Sequence, residues 1–161
     1  MTAQVAAHRA SLVRYLARYT GDPDLAEDLA QETFVKLRER PPPDRGEPRR
    51  WLFTVATNLA RDAHRSARRR AELIAGAGAR LPLPGPAPDP AAAPERAEVV
   101  GRVRAALAAL SERDRTILLM REEGFTHREI ADAVGTTTQS VGTLIARALD
   151  KMAGALGPEA A

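Results

Sequence analysis

The stretch from Phe125 to Leu149, FTHREIADAVGTTTQSVGTLIARAL, constrains the chain most. It reads as two short helices joined by a tight turn. Thr126 and Glu129 have capping-box spacing, which opens the first helix. Gly135 supplies the turn, with Ala131 four residues before it and Val141 six after. Small residues at those places let two helices touch, the packing pattern of a helix-turn-helix. The second helix follows Thr136 or Thr137. Its expected inner stripe is Val141, Ile145, Ala148 and Met152, with Leu144 and Leu149 beside it. The second helix of such a unit enters the DNA major groove, so nucleic acid is the first partner to consider.

Upstream of this motif, Val99, Val103, Leu107 and Leu110 recur at helical spacing from about Glu95. Ser111 and Asp114 resemble a second capping box, opening a helix through Ile117, Leu118 and Arg121. Gly124 suits the position just past that helix. Before Glu95 the pattern stops. Six of the chain's twelve prolines (82, 84, 86, 88, 90 and 94) fall among Ala and Gly, a composition that favours extended, coreless backbone. Residues 73–94 are therefore expected to be a Pro/Ala-rich linker between a module at 1–72 and another at 95–156.

The first module is also expected to be helical. Val5, Leu12, Leu16 and Tyr19 share one face of a first helix. Gly21-Asp22-Pro23 breaks it, and Asp24 is the expected N-cap of a second helix running to about Arg40. Leu25, Leu29, Phe34 and Leu37 line its inner side. The prolines 41–43 end it, and a loop over 44–48 leads to a third helix from about Arg49. Leu52, Val55, Ala56, Leu59 and Ala63 are its expected core face. Between Asp44 and Ala71 stand eight arginines (45, 49, 50, 61, 65, 68, 69 and 70) against three acids (44, 47 and 62), the densest basic region of the chain.

The fold class is thus all-α, two small helical modules on a tether. Composition agrees: aromatics are only 4%, and Ala and Leu carry the apolar mass. The absence of cysteine excludes a disulfide scaffold, a zinc finger and thiol catalysis. No run is long and apolar enough for a membrane span, and the N-terminus lacks the h-region of a signal peptide. His8, His64 and His127 fall in three different expected helices, with no HExxH, Walker or GxSxG pattern. The chain is therefore expected to be no enzyme, with no metal, no cofactor and no small-molecule substrate, and to be cytoplasmic.

Three stretches together resemble the extracytoplasmic-function (ECF) sigma factors of bacterial RNA polymerase, in the sigma-seventy superfamily. GDPDLAEDLAQETFVKLRER (21–40) looks like the polymerase-binding helix of region two. RRWLFTVATNLARDAHRSARRR (49–70) is similar to the segment that melts the promoter and reads its minus-ten element. LSERDRTILLMREEGFTHREIADAVGTTTQSVGTLIARALDKM (110–152) looks like region four. Their order and spacing match the family over most of the chain.

The resemblance implies roles. Asp24, Glu27, Asp28, Gln31 and Glu32 would dock on the β′ clamp of core RNA polymerase. This acidic and amide face suits charge-assisted bonds to arginines. Trp51, Val55 and Asn58, with the loop before them, would capture a flipped base, and Asn58 both donates and accepts as edge reading requires. Arg45, Arg49, Arg50, Arg61, Arg65, Arg68 and Arg69 would hold phosphates of the promoter DNA. In the helix-turn-helix, Thr137, Thr138, Gln139, Ser140 and Thr143 would face the upstream element, where glutamine suits adenine and threonine methyls suit thymine. Arg128, Arg147 and Lys151 would bind phosphate. The second module would meet the β flap, and an anti-sigma factor is the expected regulator. The chain departs from the family at Gly142, Leu144 and Ala146, where members commonly carry basic residues. That departure keeps two alternatives open: a sigma-like interaction module acting as an anti-sigma decoy, and a stand-alone helix-turn-helix repressor.

Overall fold

The computed structural model describes residues 3–43, 47–76, 91 and 93–158. All regular structure among them is helical, in the order α1 (Ala3–Ala7), α2 (Arg9–Thr20), α3 (Pro23–Glu39), α4 (Pro48–Ala75), α5 (Pro94–Ala109), α6 (Glu112–Glu122), α7 (His127–Val134) and α8 (Thr138–Leu156). The chain parts into two compact units between residues 84 and 85. Most of the expected linker lies outside the described residues, and α4 continues through Ala75 before Gly76 ends it.

In the first unit α2, α3 and α4 pack mutually. The expected first helix is interrupted at His8, so that Val5 sits on α1 while Leu12, Leu16 and Tyr19 sit on α2; all four are buried. Helix α2 stops at Gly21 in the left-handed conformation (φ 72°), with its N–H on the Ala17 carbonyl. The N-cap of α3 is Asp22, not Asp24. The Asp22 carboxylate accepts from the Asp24 and Leu25 amides at 3.0 and 3.2 Å. Pro23 at the first helical position needs no acceptor for an N–H, which is why Asp-Pro starts the helix two residues earlier than expected. The inner stripe of α3 is Ala26, Leu29, Ala30 and Thr33, with Leu25, Phe34 and Leu37 half-buried at its edges.

The core face of α4 is rotated from the expected one. Leu52 and Ala56 are buried as anticipated, but Phe53, Thr57 and Ala60 are buried too, while Val55, Leu59 and Ala63 are half-buried. Thr57 explains the rotation. Its hydroxyl donates to the Phe53 carbonyl at 2.6 Å and shares a 2.8 Å bond with the Tyr15 hydroxyl, so a polar residue is satisfied inside the core. Phe53, Tyr15, Tyr19 and His64 make a line of ring contacts, with centroids 5.0, 6.0 and 5.9 Å apart in turn. This line fixes α4 against α2.

In the second unit α5, α6 and α7 all pack on α8. Ala106, Leu107 and Leu110 are buried as the pattern implies, but Val99 and Val103 are exposed. The Arg102 guanidinium donates to the Leu156 carbonyl at the end of α8, 3.0 Å away, so the turns of α5 before it run past the end of that helix. Ser111 caps α6 by accepting from the Asp114 amide at 3.1 Å. The return half of the expected box is replaced. The Asp114 carboxylate is held instead by Lys151 Nζ of α8, 2.6 Å away. Gly124, at φ 85°, ends α6; its N–H donates to Arg121 and that of Phe125 to Met120, the paired bonds of a Schellman motif.

Candidate nucleic-acid and protein interfaces

The acidic face belongs to α3. Asp24, Glu27, Asp28, Gln31 and Glu32 are spaced i, i+3, i+4, i+7 and i+8, which puts them on one side of a helix. All five are exposed, opposite the stripe that meets the core. Glu27 accepts from Arg9 at 2.9 Å, and Glu32 lies 3.9 Å from Lys36. Exposed pairs of this kind contribute about 0–1 kcal/mol, so an incoming guanidinium exchanges them at little cost. Asp24, Asp28 and Gln31 carry no side-chain bond among the described residues. Asp28 stands at the centre of the face with its carboxylate uncommitted.

Helix α4 carries the second surface. Positions 51, 55, 58, 62, 65 and 69 form a single stripe, so Trp51, Val55, Asn58, Arg65 and Arg69 are aligned, with Asp62 among them. The stripe lies opposite the buried line of Phe53, Ala56 and Ala60. Asn58, Arg50, Arg65, Arg68 and Arg69 are exposed; Trp51, Val55, Arg49 and Arg61 are half-buried. Trp51 is thus only half-buried and not among the fully buried core residues, as a stacking platform requires. Arg49 lies over the Phe53 ring, 5.4 Å from its centroid, and so also anchors the first turn of α4. Arg68 donates to Glu72 at 3.1 Å and Arg69 to Ser66 at 3.4 Å, both exposed contacts. Arg45 and its loop neighbours 44 and 46 lie outside the described residues. The Tyr15–Thr57 bond, which sets the rotation of this stripe, links residues 42 apart in sequence and had no local signal.

The third surface is the α7–α8 turn. Thr126 and Glu129 close a complete capping box: Glu129 Oε2 accepts from the Thr126 amide at 2.7 Å, and the Glu129 amide donates back to Thr126 Oγ1 at 3.2 Å. Gly135, at φ 69°, ends α7 in the left-handed region. Ile130, Ala131, Val141, Ile145 and Ala148 are buried between the two helices and the rest of the unit. Thr138, Gln139, Gly142, Thr143, Ala146 and Arg147 face outward on α8, and Arg128 is exposed on α7. Thr137 is the N-cap of α8, accepting from the Ser140 amide at 3.3 Å and sharing a 2.7 Å bond with the Ser140 hydroxyl. Those two hydroxyls serve the cap first. Lys151 pairs with Asp114 at 2.6 Å while its side chain stays largely exposed, and Arg128 and Arg147 are the other exposed cations of the sequence-derived set.

Among the described residues there is no group of three or more His, Asp or Glu side chains placed to hold a metal ion. No described helix is long and apolar enough to cross a membrane. The fold and its surfaces define an all-helical protein with one acidic helix face, one basic and aromatic helix face, and a helix-turn-helix in a separate unit.

Comparisons with known proteins agree. Residues 4–70 match the family model for sigma-70 region 2, and residues 101–152 that for sigma-70, region 4. The ECF RNA polymerase sigma factor SigL of Mycobacterium tuberculosis is 48% identical over 38% of this chain and 36% of its own. The probable ECF RNA polymerase sigma factor SigI of the same species is 32% identical over 91% of this chain and 52% of its own. Its ECF RNA polymerase sigma factor SigG is 33% identical, over 90% and 45% respectively. The chain therefore spans about half, or less, of the length of the curated relatives it matches. The fold matches that of the sigma factor RpoE of Bartonella quintana, solved in complex with the anti-sigma factor NepR, with a TM-score of 0.71 at 20% identity over 95% of this chain and 94% of that one. This chain belongs to the sigma-70 family, within its ECF group.

Proposed function

We propose that this chain is a sigma factor that binds core RNA polymerase and directs it to a subset of promoters. Residues 1–72 serve polymerase binding and promoter melting, 73–94 are the tether, and 95–156 read the upstream element. Asp24, Glu27, Asp28, Gln31 and Glu32 meet basic residues of the β′ clamp. Trp51, Val55 and Asn58 receive an unpaired base, and the arginines 45, 49, 50, 61, 65, 68 and 69 hold the phosphates around it. Unstacking a base costs a few kcal/mol, which stacking on Trp51 and bonds to Asn58 offset. Arg128, Arg147, Gln139, Thr138 and Thr143 engage the upstream duplex, while Thr137 and Ser140 present the start of α8 to it and Lys151 buttresses α8. The second unit also meets the β flap. The chain acts in the cytoplasm, is held in check by an anti-sigma protein, and neither performs catalysis nor needs a cofactor.

One observation carries this reading: a single compact helical unit exposes the acidic face of α3 and the Trp51–Arg69 stripe of α4 at once. A decoy has no use for the second surface, and a repressor has no use for the first. Titration of labelled chain with core polymerase, followed by permanganate probing of promoter DNA, tests it. Asp28→Arg should weaken polymerase binding at least tenfold. Asn58→Ala should bind polymerase normally yet leave promoter thymines unreactive. Polymerase binding by the unaltered chain without any promoter opening would favour the decoy.

A further inference from the structure

Gly142 leaves a gap in the middle of the outward face of α8. Gln139 stands one turn before it and Ala146 one turn after, both exposed. None of the exposed residues Thr138, Gln139, Gly142, Thr143 and Ala146 carries a charge. A β-carbon placed on Gly142 would lie 3.9 Å from Cε1 of His127 on α7. The imidazole therefore sits at the rim of the gap, on a different helix from the one that faces the groove.

His127 is well held for such a place. It follows Thr126 directly, and the two-way bonding of Thr126 with Glu129 fixes the backbone from which the ring hangs. The side chain is exposed and makes no hydrogen bond or ion pair among the described residues. A neutral imidazole offers one N–H donor and one acceptor nitrogen. Duplex DNA presents matching acceptors on the major-groove side, the purine N7 and the phosphate oxygens. Without a side chain at 142, the duplex can approach the backbone of α8 closely enough to bring such an acceptor to the ring.

We infer that His127 is a promoter-contacting residue: its ring N–H donates to a DNA acceptor lying over Gly142. The inference rests on the promoter-binding reading above. The reading surface is then a composite of two helices, with Gln139 and Thr143 contributed by α8 and His127 by α7.

Holoenzyme affinity for a promoter duplex, measured by fluorescence anisotropy, tests this. His127→Ala should weaken binding about 2- to 12-fold, the loss of one net hydrogen bond. Gly142→Lys fills the gap with a cation, so His127→Ala in that background should have little further effect; the two changes are coupled. Single 7-deazapurine or methylphosphonate substitutions in the upstream element then locate the acceptor. One of them should abolish the difference between unaltered chain and His127→Ala, the first kind if the acceptor is N7 and the second if it is phosphate. Unchanged affinity in His127→Ala, full additivity with Gly142→Lys, or a difference that survives every substitution overturns the inference while leaving the promoter-binding reading intact. Failure of the unaltered holoenzyme to form any promoter complex overturns both.

Discussion

Replacing Arg115 with methionine removes a guanidinium while keeping most of the apolar stem. In the native unit this side chain is 4% exposed and donates to the carbonyls of Leu107, Ala108 and Leu110, at 3.0, 3.2 and 3.2 Å. Those carbonyls end α5, where no further turn supplies N–H donors and where the helix dipole favours a cation. The Leu107 carbonyl keeps a second donor, the Leu110 amide at 3.2 Å. The Ala108 and Leu110 carbonyls lose the guanidinium, the first in a part-buried place and the second in a buried one. Hydrogen bonds to charged groups contribute about 1.5–3 kcal/mol each, and the several kcal/mol spent on desolvating the buried guanidinium is recovered on its removal. The net loss worked from these is about 2–4 kcal/mol. For a unit of this size each kcal/mol moves the midpoint by about 4–8 °C, so its melting temperature should fall by roughly 10–25 °C. Circular dichroism melts of the full chain measure this. The first unit's transition should stay in place, because all three bonds lie in the second. Arg115→Lys, which keeps the charge without the planar fork, should fall between. A loss below about 0.5 kcal/mol for Arg115→Met would refute the reasoning and mean that the carbonyls rehydrate or that desolvation cancels the bonds.

Three other substitutions probe the account. Thr57→Val removes the 2.8 Å hydrogen bond between Thr57 and the Tyr15 hydroxyl and should destabilise the first unit by about 0.5–1.5 kcal/mol, read by urea unfolding. Gly135→Ala should cost the second unit about 1–2 kcal/mol in the same assay; a β-carbon there meets nothing within 4 Å, so the cost comes from the left-handed backbone alone. Lys151→Met should lower the stability of the second unit by about 1 kcal/mol yet leave the salt dependence of promoter binding unchanged, because Lys151 is held by Asp114. Arg147→Ala should instead reduce that slope by about 0.9, the release of one counterion.

What could be read in advance was local. The turn between α7 and α8 is written in short-range chemistry: a capping box, a left-handed glycine and a threonine N-cap, each acting within a few residues. The ends of α6 and the acidic face of α3 were legible for the same reason. Even the N-cap of α3 had a local signal, Asp before Pro, that outweighs the acid two positions later. What escaped was set by partners far along the chain. Thr57 turned inward because Tyr15 meets it from α2. Asp114 left its capping box because Lys151, 37 residues on, reaches it. Val99 keeps the period of a buried stripe, yet it lies on the turns of α5 that run past the end of α8; Val103 is exposed as well. Periodicity says which residues share a face; it does not say how far the neighbouring helix extends, nor which polar groups find partners inside. The proximity of His127 to Gly142 is of the same kind, since it depends on how closely α7 and α8 cross.

The central claim is that this chain endows core RNA polymerase with promoter-specific initiation. Run-off transcription on genomic promoter fragments from the same source, with core polymerase alone and with the chain added, tests it most directly. Discrete transcripts should appear that require the chain and disappear with Asn58→Ala or Asp28→Arg. Core polymerase that gives the same products with and without the chain would contradict the claim.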